Sequence, residues 1–228
     1  MVSAIVTTPT PKLEASVDFY TRLGFERLPG EPRAYFDDGG VVVEIDPDRY
    51  ARTGLRLFAD DWANQAESLD GVVERDGVFV ATAPSGVRVY LDKARPAALS
   101  ERKPRDSFTR LGKFAGLSVE TADLSRERLF WEQLGYAVVP EKSGESWLTM
   151  DDGRGLGLSI MPMFTCPHLF FSPGLTYFNS GKNLENLAKI REAGVPLLEE
   201  ITCFNEEGVV DNAIVQDPGG TGFFVFND

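Results

Sequence analysis

The sequence predicts an α+β protein of two tandem domains, each a pair of βαβββ modules that together form a curved mixed sheet with a concave cleft. Three observations carry this expectation. A helix-like segment is written twice at a constant offset, from Leu13 in the first half and from Leu124 in the second. The stretches after each copy alternate apolar and polar residues with the period of a strand. The same short Gly-Leu strand then opens a further strand, helix and strand series in both halves.

Taken in order, Leu13, Val17, Tyr20 and Leu23 recur at helical spacing, and the second copy repeats the pattern through Leu124, Phe130, Trp131 and Leu134. Gly24 and Gly135 follow, where a left-handed residue ends a helix. The stretches 33–38 and 147–152 run into matching Asp-Asp-Gly turns. Gly54-Leu55-Arg56-Leu57-Phe58 then matches Gly174-Leu175-Thr176-Tyr177-Phe178. Helical segments near 61–69 and 183–193 follow, and the last strands begin at Gly86 and Gly220. Domains are placed at residues 1–93 and 112–228. The Ala-, Pro- and charge-rich segment 94–111 is read as a solvated linker between them.

The chain of 228 residues is 43% hydrophobic and 25% charged, the composition of a globular protein. A net charge of −12 argues against nucleic acid and anionic membranes as partners. The basic cluster Lys93, Arg95, Arg102, Lys103 and Arg105 is expected to be solvated. Two cysteines make no disulfide framework, no signal peptide is evident and no apolar run is long enough to span a membrane, so a cytoplasmic protein is expected.

The helix reading Leu-Glu-Ala-Ser-x-x-Phe-Tyr-x-x-Leu-Gly-Phe, the Gly-Leu-x strands and the Asp217-Pro218-Gly219-Gly220 turn together resemble the vicinal oxygen chelate superfamily. Its members include glyoxalase I, bleomycin-resistance proteins, fosfomycin-modifying enzymes and extradiol dioxygenases. The resemblance covers both copies and implies their fold, while the chemistry must be argued from the site. It also implies that metal-dependent members place ligands on the first, fourth, fifth and eighth strands. The matching positions here are Ile5, Glu44, Arg56 and Tyr90, then Gly116, Ser159, Thr176 and Phe224. A divalent cation wants about three imidazole or carboxylate donors. Only Glu44 qualifies, so neither a metal nor another cofactor is expected. The single histidine, His168, reads as a surface or satisfied loop residue.

Strand alternation sends Thr7, Val42, Glu44, Arg56, Phe58, Arg88 and Tyr90 to the first cleft, and the aliphatic Val41, Val43, Ile45, Leu55, Leu57, Val87 and Val89 to the opposite face. Glu44 with Arg56 or Arg88 reads either as a structural ion pair or as part of a site for a polar or anionic group. Glu44 and Tyr90 are the candidate catalytic residues. The second cleft, lined by Trp147, Ser159, Met161, Thr176, Phe178 and Phe224, reads either as rings packed on one another or as a pocket for a flat apolar ligand.

Three functions stay open. The first is a metal-free protein that binds a small apolar or aromatic molecule. The second is a lyase, isomerase or dioxygenase of the glyoxalase and dioxygenase kind. The third is an interaction protein with vestigial clefts. Two copies in one chain suit a monomer, with a homodimer as the alternative.

Overall fold

The computed structural model describes residues 4–103, 105–144, 146–153 and 156–227. The first domain runs β1 (Ala4–Pro9), α1 (Leu13–Leu23), β2 (Glu26–Leu28), β3 (Ala34–Asp37) and β4 (Val42–Asp46), then β5 (Gly54–Phe58), α2 (Ala63–Ser68), β6 (Val73–Arg75), β7 (Val78–Thr82) and β8 (Arg88–Asp92). After a short helix α3 (Ala97–Glu101) the series repeats. It runs β9 (Lys113–Thr121), α4 (Leu124–Gln133), β10 (Ala137–Val138), β11 (Leu148–Asp151) and β12 (Leu158–Pro162), then β13 (Gly174–Phe178), α5 (Asn183–Glu192), β14 (Glu199–Ile201), β15 (Asn212–Gln216) and β16 (Gly222–Phe226).

Each domain folds into an eight-stranded mixed sheet. The orders β2-β3-β4-β1-β5-β8-β7-β6 and β10-β11-β12-β9-β13-β16-β15-β14 are the same order written twice. Within a module the first and last strands pair in parallel, which requires the crossover that the helix supplies. Across the centre of each sheet the two modules meet antiparallel, at β1–β5 and at β9–β13.

The helices form where the sequence gives them one apolar stripe and a stop. In α1, Phe19, Tyr20 and Leu23 are buried, and Gly24 ends the helix at φ 92°. In α4, the Asp123 carboxylate accepts the Arg126 N–H as an N-cap, and Gly135 follows the helix at φ 89°. The aliphatic residues of β4, β5 and β8 (Val43, Ile45, Leu55, Leu57, Val89 and Leu91) join one hydrophobic core with Leu117, Val119, Leu158, Ile160 and Leu175 of the second sheet.

A reciprocal clasp joins the domains. The Tyr20 hydroxyl on α1 donates to Asp217 Oδ2 (2.9 Å) in the turn before β16. In the other direction Glu127 on α4 accepts the Ser85 N–H and hydroxyl (both 2.7 Å) in the turn before β8. Burial pushes the Asp217 carboxyl and the Tyr20 phenol above their ordinary pKa values.

The segment between the sheets departs from a solvated linker. Leu99 on α3 is fully buried against Ile5, Tyr35, Val42 and Phe58. Arg102, with its side chain 7% exposed, pairs with Asp37 at 2.8 Å. Lys93 pairs with Asp61, and Arg105 with Glu26 and Asp37, so three members of the basic cluster have carboxylate partners. Charge and proline content read as exposure, but a single leucine at the right point of the segment ties it to the sheet.

Candidate functional site

Strand pairing fixes which residues share a face, and it aligns the two clefts rung by rung. In the first sheet Ile5 faces Arg56 and Arg56 faces Tyr90, with Thr7 opposite Glu44 and Glu44 opposite Tyr35. On the same rungs of the second sheet stand Gly116, Thr176 and Phe224, with Ser118 opposite Ser159 and Ser159 opposite Thr149.

One end of the first cleft is filled by its own side chains. Leu99 covers the apolar end formed by Ile5, Val42 and Phe58. Beside it Glu44, fully buried, accepts from Thr7 Oγ1 (2.8 Å), Tyr35 Oη (3.2 Å) and Arg56 Nε (2.8 Å). Arg56 is 2% exposed and donates through its other nitrogens to Asp92 (2.9 Å) and Asp46 (3.5 Å), with its guanidinium 4.8 Å from the centre of the Tyr90 ring. Arg33 closes the network on Asp46 at 2.9 Å. Burial, and then the charge of Glu44, push the Tyr35 hydroxyl up to about 12. Glu44 and Arg56 are therefore spent on one another and on their neighbours, which leaves Glu44 sequestered from any substrate. The Tyr90 hydroxyl is spent on the peptide of Arg52, accepting its N–H (2.8 Å) and donating to its carbonyl (3.0 Å). Arg88 donates to the Thr82 hydroxyl at 2.6 Å and, among the described residues, has no carboxylate in ion-pair range.

The second cleft is open, with a cavity of about 380 Å³. Ser159, Met161, Thr176, Phe178, Phe224 and Trp147 all line it. Gly116 and Gly157 stand on its floor where the first sheet has Ile5 and Val42, and their missing side chains make much of the space. At Gly116, φ is 141° and a Cβ would sit 2.8 Å from the Gly157 carbonyl oxygen, so the rung needs glycine for geometry as well as room. The floor's polar groups are few. Ser118 and Thr176 share a hydrogen bond of 2.7 Å. Phe224 and Phe226 form the stacked wall, with ring centres 5.7 Å apart and planes 16° from parallel. Trp147, 48% exposed, is tied by its indole N–H to the Lys142 carbonyl at 3.0 Å.

Several lining residues were missed by the reading of the sequence. Phe226 is two residues beyond Phe224 on one strand, and alternation alone could have found it. His168, Cys166 and Phe170 come from the loop after β12, whose path no periodicity describes. His168 is a loop residue with a backbone partner, as expected, and it is also part of the cavity wall, with its ring centre 5.3 Å from Phe226 and 5.7 Å from Phe224. Its Nδ1 lies 2.7 Å from the Leu169 carbonyl oxygen, which can only accept, so the proton is assigned to Nδ1 and the lone pair to Nε2. Burial pushes the Cys166 thiol up, which favours an inert thiol over a thiolate nucleophile.

The metal that related folds hold does not fit these positions. On the four strands concerned the second cleft offers Gly116, Ser159, Thr176 and Phe224, with no carboxylate or imidazole among them. In the first cleft the carboxylates converge on the Arg56 guanidinium, a permanent cation. Among the described residues no three His, Cys, Asp or Glu side chains are grouped to hold a metal ion. None of the described helices is long and apolar enough to cross a membrane.

No protein-family model and no curated protein matches the sequence. Solved structures do match in fold, over nearly the whole chain. A Mn(II)-bound glyoxalase from Novosphingobium aromaticivorans superposes with a TM-score of 0.57 at 16% identity, covering 99% of this chain and 81% of that one. The 2,3-dioxygenase LapB of a Pseudomonas species gives 0.57 at 14%, covering 98% and 91%. The 2,2',3-trihydroxybiphenyl 1,2-dioxygenase of Sphingomonas wittichii gives 0.54 at 17%, covering 99% and 89%. With its repeated strand order and these likenesses, the chain shares the two-domain βαβββ fold of these glyoxalase and dioxygenase structures.

Proposed function

We propose that the protein binds a small, flat, largely apolar organic molecule in its second cleft, without a divalent metal held by the cleft residues. One observation carries this reading. The rungs that the first domain fills with Ile5, Val42, Arg56 and Leu99 are left open in the second as a cavity of about 380 Å³ walled by aromatic rings. A concave apolar pocket with few polar groups is the usual form of a small-molecule site. Rings such as Phe224 and Phe226 favour a planar ligand by stacking and edge contacts. The Ser118–Thr176 pair and the His168 Nε2 lone pair supply orientation, by accepting from or donating to one polar end of the ligand. Turnover of the glyoxalase or dioxygenase kind is disfavoured, because the strand positions that would hold the metal lack donors and Glu44 is locked in the other cleft.

Trp147 provides the test. Trp62 and Trp131 are buried, so Trp147 dominates any ligand-dependent change of tryptophan emission. Chelator-treated protein is titrated with a panel of planar aromatic compounds and, separately, with Mn, Fe, Zn and Ni. The expected result is quenching or a blue shift that is absent in Trp147→Phe, together with thermal stabilisation. A ligand at 100 times its Kd adds about 2.7 kcal/mol, which raises the Tm by roughly 5–10 °C for a chain of this size. Stabilisation by a divalent metal, with no response to any organic compound, overturns the reading.

A further inference from the structure

We propose that the first domain carries a second, chemically different site, which takes a small oxyanion on Arg52 and Arg88 beside Tyr90. Although Leu99 and the Arg56 network fill one end of its concave face, the other end opens into a cavity of about 570 Å³. The carboxylates bordering it already have partners. Asp46 and Asp92 belong to Arg56 and Arg33, and Asp48 and Asp76 lie nearest Arg75.

Two guanidiniums are left over. Arg88 donates one N–H to the Thr82 hydroxyl, and Arg52 donates to the Ala51 carbonyl (2.7 Å) and, more weakly, to the Arg49 carbonyl (3.4 Å). Among the described residues neither guanidinium has a carboxylate in ion-pair range. In a chain with 35 acidic and 23 basic residues, two arginines that border one cavity without an acid are an arrangement that charge balance does not require. Both are also held in place. Tyr90 clamps the Arg52 peptide through its N–H and its carbonyl, and Arg88 stands two residues before Tyr90 on the same face of β8. Each planar fork has N–H donors to spare, and a fork of this kind matches the paired oxygens of a carboxylate or phosphate.

The test is calorimetric titration at low ionic strength with inorganic phosphate and, separately, with succinate. Binding of either below about 1 mM is expected, and Arg88→Gln and Arg52→Gln should each weaken it by about tenfold or more, the worth of a charged hydrogen bond. Arg52 lies in an exposed loop, so its variant folds even if changes on β8 disturb the sheet. Tyr90→Phe removes the clamp but not the charges, and as a positioning change should weaken binding less than either arginine variant. Binding of phosphate alone assigns the site to phosphoryl groups, and of succinate alone to carboxylates. No binding of either up to about 10 mM, or binding indifferent to both arginine variants, overturns the proposal. The Trp147 signal in the other domain reports separately on the second cleft, so either reading can fail without the other.

Discussion

On equivalent rungs of two sheets with the same strand order, the first domain carries Ile5, Tyr35, Val42, Arg56 and Tyr90 where the second carries Gly116, Thr149, Gly157, Thr176 and Phe224. The backbone scaffold is common to both, so the difference in their clefts is one of side-chain volume and charge. Four of the five exchanges shrink the side chain, and the space appears as the second cavity. The fifth trades a phenol bonded to the chain for a ring that faces the cavity. In the first domain this end of the concave face instead became a second, polar interior, closed by an ion network and a leucine from the connecting segment. At these rungs one sheet thus holds its occupant within the chain, and the other is shaped to take one from outside.

Substitution at one rung should separate the two most sharply. Arg56→Ala leaves Glu44 and Asp92 buried without their cation, and breaking a buried pair in this way costs about 3–5 kcal/mol. Thr176→Ala, its counterpart, removes one hydroxyl from a cavity that Ser118 can still address, a loss of about 1 kcal/mol. Urea denaturation of the two variants measures the contrast. Equal losses would mean that the Arg56 end of the first cleft is not a closed interior.

The plug comes next. Leu99→Ala removes a fully buried side chain from the Ile5, Tyr35, Val42 and Phe58 contact, for a loss of about 2–5 kcal/mol. A loss under about 0.5 kcal/mol in the same denaturation experiment would show that the segment rests on the sheet without closing it.

How far the sequence disclosed this contrast depends on what periodicity can see. Alternation sorted β4, β5 and β8 into two faces, because a half-buried strand has a period of two. Asp46 and Asp92 were not read as cleft residues, although the same rule carried two residues further reaches both, and three acids around one arginine become a network only when the strands are brought together. Leu99 gave no signal, since one leucine among charges has no period. His168 and Cys166 lie on a loop, where side-chain direction follows from packing and not from spacing: His168 sets its ring against Phe224 and Phe226, and the Cys166 thiol lies 3.6 Å from the Met161 sulfur. The strand-borne part of each cleft was thus readable, while the parts supplied by connections were not.

Filling the open cleft sharpens the comparison from the other side. Gly157→Val installs the residue that the first domain has at Val42. A Cβ there would meet its nearest neighbours at 3.7 and 3.8 Å, ordinary contact distances. The variant should fold with a stability change within about 1.5 kcal/mol and lose affinity for the second-cleft ligand by about tenfold or more, since the added methyls occupy its space. Titration through Trp147 emission reads the loss. Undiminished affinity would place the ligand elsewhere.

The smallest expected effect concerns the clasp, where the halves differ again. The turn before β16 brings its own carboxylate, Asp217, to Tyr20, whereas the matching turn before β8 has Ala83 and borrows Glu127 from α4. Asp217 accepts from Thr8, Tyr20 and the N–H groups of Gly219 and Thr221, and these bonds oppose the shift, yet burial outweighs them and its pKa lies above the ordinary 3.8. With the folded value raised, the folded state holds the proton more tightly than the unfolded chain does. The stability this contributes is complete below about pH 3.8 and is lost as pH rises through the folded pKa. Asp217→Asn has no such titration. The Tm of the wild type minus that of the variant should therefore grow as pH is lowered from neutrality into the region just above 3.8, with other acids cancelling in the subtraction. A difference that shrinks on acidification would mean that the hydrogen bonds outweigh burial, and that the carboxylate in the turn is held as a stabilising anion.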